Sequence, residues 1–223
     1  MQVDFWTIEK FRVEAFKIPW PTLISSGDPL YEAQNPEAEQ IKLYFSKLSE
    51  KSPKILDIGA GQKCLERALK IRHIDTDYHS MDVTNASGEK YDFRDIECIV
   101  GQYDLIVMQE VIEHLPLETG LRYLRKAYEL LSPNGFLVVT VPNMFRPVQF
   151  FVDFSHITHY PLPDLYAILR SIGFKGEATL RRVEIRPAGL SIKQRVILQA
   201  RKLLYRLMGF DWAHGVLCMI GKS

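Results

Sequence analysis

Apolar positions in the second half of the chain's first quarter and beyond fall into two rhythms. Ile55, Leu56 and Ile58, then Tyr103–Gln109 (Y-D-L-I-V-M-Q), then 136–141 (F-L-V-V-T-V) form near-continuous apolar runs, as expected of strands covered on both faces. Further strands are predicted at 78–83, 177–185 and 215–220, with a short strand or loop at 91–96. Helices are predicted at 65–71, at 117–131 behind Pro116, at 163–172 ahead of the Gly173-Phe174 turn, and at 191–208. Before the first of these strands, Phe5, Trp6, Phe11 and Phe16 are loosely spaced, and Pro19-Trp20-Pro21 and Gly27-Asp28-Pro29 force turns. A helix over 37–48 follows, with Ile41, Tyr44, Phe45 and Leu48 on one face.

The stretch that organises this pattern is 54–64, K-I-L-D-I-G-A-G-Q-K-C. An apolar strand breaks on Gly59 and Gly61 and opens into a helix, which is the first βα unit of a nucleotide-binding sheet. Without Cβ atoms the two glycines permit a sharp turn and a close ligand approach. A dinucleotide fingerprint needs a third small residue at position 64, where this chain has Cys64. A tight turn with no ligand is the plainer alternative.

I-L-D-I-G-A-G instead resembles motif I of the class I S-adenosylmethionine-dependent methyltransferases. The resemblance continues through Y-D-L-I-V-M-Q with E-V-I-E-H-L after it, and through L-S-P-N-G-F-L-V-V-T-V-P-N, so that it spans about 54–143 in order. It implies a Rossmann-like α/β fold: a seven-stranded, mostly parallel sheet with helices on both faces and the last strand antiparallel. It also implies S-adenosyl-L-methionine as cofactor and methyl transfer as activity. Asp57, Gly59, Ala60 and Gly61 would then hold the cofactor's amino-acid end and cradle. Asp82, at the tip of the second strand, would take the ribose hydroxyls, with Asp75 and Asp77 as competitors. Asp95 would receive the adenine amino group (Asp92 being the alternative), Ile96 would cover the ring, and Gln109 would stand at the tip of the fourth strand.

After the fifth strand comes D-F-S-H-I-T-H-Y, at 153–160. Small-molecule members of the superfamily carry a similar D-x-x-H, which makes His156 a candidate general base; a structural hydrogen-bonding role is the alternative. E-V-I-E-H has a second meaning. On a helix Glu110, Glu113 and His114 would share a face, and some ubiquinone-pathway and small-RNA methyltransferases use such a segment, with a distant histidine, for a divalent metal. The same letters occur without metal, and no metal is the expectation here.

Composition narrows the class only modestly. The 223 residues are 47% hydrophobic and 25% charged, which suits one domain: a cap at 1–52, a core at 53–187, an inserted helix within 188–214 and a last strand at 215–223. A net charge of +1 gives no global field for nucleic acid, and no N-P-P-Y-like sequence follows the fourth strand. Three scattered cysteines and no secretory leader suit a reducing, cytoplasmic setting. The expected acceptor is a small molecule, sugar or lipid-linked compound methylated on oxygen. A cofactor-binding relative without turnover and an NAD(P)-dependent oxidoreductase are the other readings. The 191–208 helix sets Ile192, Val196, Leu203 and Leu207 against Lys193, Arg195, Arg201, Lys202 and Arg206, a face for a membrane surface or a phosphorylated acceptor as well as for ordinary core packing.

Overall fold

The computed structural model describes residues 5–15, 22–26, 43–48, 52–84, 88–146, 153–185, 191–208 and 213–222. Seven strands form one sheet in the order β1-β6-β7-β5-β4-β2-β3. They are β1 (Thr22–Ser26), β2 (Lys54–Ile58), β3 (Asp77–Met81), β4 (Tyr103–Gln109), β5 (Leu131–Pro142), β6 (Ala178–Ile185) and β7 (Gly215–Gly221). β3, β2, β4 and β5 pair in parallel, as do β1 and β6. β7 runs antiparallel to both its neighbours, β5 and β6.

Side chains alternate across this sheet with a period of two. Leu56, Ile58, Ile106, Met108, Leu137, Val139, Cys218 and Ile220 face one core, whose helical layer comes from α3 (Leu117–Leu130) and α4 (Leu162–Ile172). Ile55, Leu105, Val107, Val138, Leu217 and Met219 face a second core with Leu65, Ala68 and Leu69 of α2 (Cys64–Ile71). Central strands covered on both sides explain the continuous apolar runs. Helix α1 (Phe5–Ala15) packs on α4, where Arg12 Nε donates to Asp164 Oδ1 at 2.6 Å. Helix α5 (Ile192–Met208) is strung between β6 and β7.

Six of the seven strands read from the sequence are present, and the differences are informative. Residues 91–96 are not a strand: Phe93 makes one isolated bridge to Met81, and a 3-10 turn begins at Ile96. Asp92 holds that segment down by accepting from Ser80 N–H and Oγ at 2.7 and 2.8 Å, which leaves no run long enough for a ladder. The seventh strand is β1, from the segment read as a cap. β3 ends at Met81 rather than 83, and β5 begins at Leu131, before the S-P-N-G turn, across a register shift. The Pro19-Trp20-Pro21 and Gly27-Asp28-Pro29 turns, Phe16 and the first half of the predicted 37–48 helix lie outside the described residues.

Candidate active site

The carboxyl ends of β2, β3, β4 and β5 line one edge of the sheet, and the candidate residues gather there in two groups. The first surrounds the glycine turn. Gly59 (φ 75°) and Gly61 (φ 47°) lie in the left-handed region that a glycine tolerates. Gly59 and Ala60 donate their N–H groups to Met81 O at 2.8 and 3.1 Å, which ties the turn to the tip of β3. A Cβ on Gly59 would collide with Val111, whereas one on Gly61 would meet nothing nearer than Gly59 O at 3.9 Å. Gly61 therefore borders open space.

Asp82 is buried just past β3 and clasps this turn. Its Oδ2 accepts from Gly61 N–H at 2.9 Å, and its Oδ1 accepts from Thr84 N–H and Oγ1, both at 2.8 Å. Asp77 is at the other end of β3, paired with Lys54 and His79, and Asp75 is exposed before it. Asp57, 3% exposed, accepts from Tyr78 Oη at 2.7 Å; burial pushes its carboxyl up to about 6. Tyr91 Oη closes the group by donating to Gly61 O at 2.6 Å.

Asp95 is exposed and caps the 3-10 turn Ile96–Cys98, accepting from Glu97 N–H at 3.0 Å. Ile96 is fully buried in the main core. Gln109 sits at the tip of β4, its Nε2 donating to the buried Tyr44 Oη at 3.2 Å.

The second group begins one residue on. Glu110 has φ 51° and donates its N–H to Thr140 O, so E-V-I-E-H is not a helix; only Ile112–His114 form a 3-10 turn. The shared face expected from helical spacing is replaced by a fold-back onto the 153–160 loop. Ile157 and Thr158 donate their N–H groups to Glu113 O at 2.8 and 3.0 Å, and Thr158 Oγ1 donates to Leu115 O at 2.6 Å. These bonds bring the two histidines together, with ring centroids 4.8 Å apart. Ser155 Oγ lies 2.9 Å from His114 Nδ1 and donates to Asp153 Oδ1 at 2.6 Å. The His156 side chain is 9% exposed, its Nε2 3.8 Å from Asp153 Oδ2, while that of His114 is 35% exposed.

Glu113 is the residue that the sequence did not single out as different from its neighbours. It is 1% exposed, and neither carboxyl oxygen receives a hydrogen bond. Burial, and then the nearby Glu110 charge, push its carboxyl well above the usual carboxylate range. Glu113, His114 and His156 can bring one ligand atom each within 4.8 Å of the others. Tyr160, 2% exposed, has an equally unpartnered hydroxyl, which burial and the Glu113 charge push up to about 12. A Cβ at Gly120 of α3 would collide with that hydroxyl, so the glycine makes the room for it.

A glycine turn at a parallel sheet's carboxyl edge, clasped by a carboxylate and open at Gly61, defines the class as nucleotide-cofactor α/β proteins. A methyltransferase-domain family model matches residues 31–179, and the chain belongs to that family, the S-adenosylmethionine-dependent methyltransferases. No curated protein matches the sequence significantly. Solved structures with the same fold include an S-adenosylmethionine-dependent methyltransferase from Archaeoglobus fulgidus (17% identity, TM-score 0.63, 86% of this chain and 98% of that one). Another is the 1,6-didemethyltoxoflavin N1-methyltransferase of Burkholderia thailandensis with its substrate and S-adenosylhomocysteine bound (14%, 0.57, 87% and 81%). A third is the magnesium protoporphyrin IX methyltransferase of Synechocystis with bound cofactor (12%, 0.54, 100% and 86%).

Proposed function

We propose that this methyltransferase methylates an oxygen of a small, sugar or lipid-linked acceptor, with His156 as the general base. The observation that carries the reading is the fold-back that sets the 153–160 loop against E-V-I-E-H, directly beside the glycine turn that Val111 touches. The open space at Gly61 fits a cofactor at that turn. Asp57, Gly59, Ala60, Gly61 and Gln109 would hold its amino-acid end and cradle, Asp82 its ribose and Asp95 its adenine amino group. When bound, S-adenosylmethionine supplies a methyl group already activated as an electrophile. What remains for the chain is to orient the acceptor, exclude water and take a proton. Asp153 can stabilise a protonated His156, and Ser155 and Asp153 fix the ring of His114.

A second reading has its own observation. The Glu110 and Glu113 carboxyls share a hydrogen bond, so one of them holds a proton, and a cation can take that proton's place. Glu113, His114 and His156 offer a donor set suited to a divalent transition metal, which would polarise the acceptor oxygen. One assay separates the readings: transfer from labelled S-adenosylmethionine across hydroxylated acceptors, with and without EDTA. Transfer that resists EDTA and falls in His156→Ala supports the base. Transfer lost to EDTA and restored by a divalent ion supports the metal. Tight cofactor binding with no transfer to any acceptor would identify a binding-only relative, and stabilisation by a nicotinamide cofactor alone would return the oxidoreductase reading.

A further inference from the structure

Helix α5 presents a surface that the methyl-transfer site does not account for. Large apolar residues lie bare along it: Ile192 is 82% exposed, Val196 63%, Leu203 56% and Leu207 71%. Their spacing of four, seven and four residues puts them in one row along the helix. Ile197, Leu204 and Met208 widen the face, and they too are exposed. A contiguous apolar face of this kind marks an interaction site, because soluble surfaces carry such residues singly.

The charge on the same helix says what kind. Its sequence holds Lys193, Arg195, Arg201, Lys202 and Arg206 and no acidic residue. Two copies of this helix packed face to face would bring ten cations together with nothing on either helix to offset them. An anionic lipid surface offsets them and takes the apolar row as well. Among the described residues no helix is long and apolar enough to cross a membrane, so the fit is to the interface.

Position adds a second, independent observation. β6 ends and β7 begins at the edge where β5 ends, since Val183 and Pro142 both pair with Gly215. The chain therefore leaves β6 for α5, and returns from it to β7, at the edge that carries the candidate active site. His214, just before β7, is depressed to about 4, chiefly by burial, then by the charges of Arg146 and Arg201. On that edge the loop side chains of Phe145, Phe154 and Ile157 are 53%, 98% and 55% exposed, and Phe154 and Ile157 flank His156.

We infer that α5 docks the protein on an anionic bilayer surface, lying in the headgroup layer with its apolar row inward and the active-site edge turned toward the lipid. The docking stands whatever the acceptor is. That the acceptor is an amphiphile drawn from the bilayer rests on the methyl-transfer reading as well.

Co-sedimentation of the full chain with phosphatidylcholine vesicles, with and without phosphatidylglycerol, tests the docking. The protein should sediment with the anionic vesicles, stay in solution with the neutral ones, and be released as salt rises. K193E/R195E should lower partitioning more than about tenfold, each cation counting about fivefold, and L203S/L207S should lower it too. Both variants should bind S-adenosylmethionine as the wild type does in calorimetry, which shows that they are folded and that the cofactor site is a separate matter. Failure to sediment with anionic vesicles, or variants that sediment like the wild type, would overturn the inference. A dimer in sedimentation velocity that L203S/L207S abolishes, without vesicle binding, would assign the face to a second copy instead.

Discussion

The two halves of the active-site edge are built on opposite terms. Around the glycine turn the buried polar groups among the described residues are engaged: Asp57 with Tyr78, Asp82 with Gly61 and Thr84, and Ser80 with Asp92. Around E-V-I-E-H the most buried groups are the ones that receive no hydrogen bond, the Glu113 carboxyl and the Tyr160 hydroxyl. An unsatisfied buried polar group costs about 1–3 kcal/mol. On the proposed reading, the engaged half is the cofactor's cradle and the open half the acceptor's chamber. Substitutions should divide accordingly, with stability and cofactor affinity changing on the first side and rate on the second.

The largest effect is expected on the open side. His156→Ala should slow transfer by about 10²–10⁴-fold while S-adenosylmethionine affinity, by calorimetry, stays within error. A drop in affinity of the same size would place His156 in the cradle and dissolve the division. On the satisfied side, Asp82→Ala removes three charge-assisted hydrogen bonds within the turn, each worth about 1.5–3 kcal/mol before relaxation. Cofactor binding and thermal stability should fall together, while Asp77→Ala, at the far end of β3, should change either by less than about 0.5 kcal/mol.

Asp57 allows a test by pH. Its folded pKa of about 6 lies above the usual 3.8, so the folded state holds the proton more tightly than the unfolded one. Its favourable contribution is complete below pH 3.8 and is lost as the pH rises to about 6. Asp57→Asn keeps an acceptor for Tyr78 Oη and removes the charge. Denaturant unfolding of the cofactor-free protein should show no gain below pH 3.8 and a gain of at most about 3 kcal/mol above pH 6. A variant less stable at neutral pH would mean that the charge itself supports the turn. Gly61→Val puts a β-branched side chain at φ 47° beside the turn: S-adenosylmethionine affinity should fall about tenfold, or 1.4 kcal/mol, with some loss of thermal stability from the strained backbone.

The glycine half was the more legible in the sequence, because it is made of contiguous residues whose types state their purpose. Gly59, Gly61 and the alternation of Ile55, Leu56 and Ile58 are local signals. β1 was missed because T-L-I-S-S is short and pairs with residues far along the chain. Residues 91–96 were left between strand and loop, and the choice falls to Asp92, which accepts from Ser80 and holds the segment as a loop. The state of Glu113 was beyond the sequence for a different reason. Its isolation is a property of the fold-back through Ile157 and Thr158, and no spacing rule applied to E-x-x-E-H alone contains the second loop.

The place of β7 has a bearing on how the molecule is made. β5 and β6 do not pair with each other; β7 lies between them and pairs with both, and β1 is held through β6. Of the seven described strands, the last in the chain is thus the one that unites the sheet. Until residues 215–221 leave the ribosome, the nascent chain has a four-stranded half with a bare β5 margin and a two-stranded fragment with a bare β6 margin. Exposed strand margins of this kind seed aggregation. A messenger truncated before that codon run should therefore yield insoluble protein, whereas the same chain shortened within α1 should remain in the supernatant.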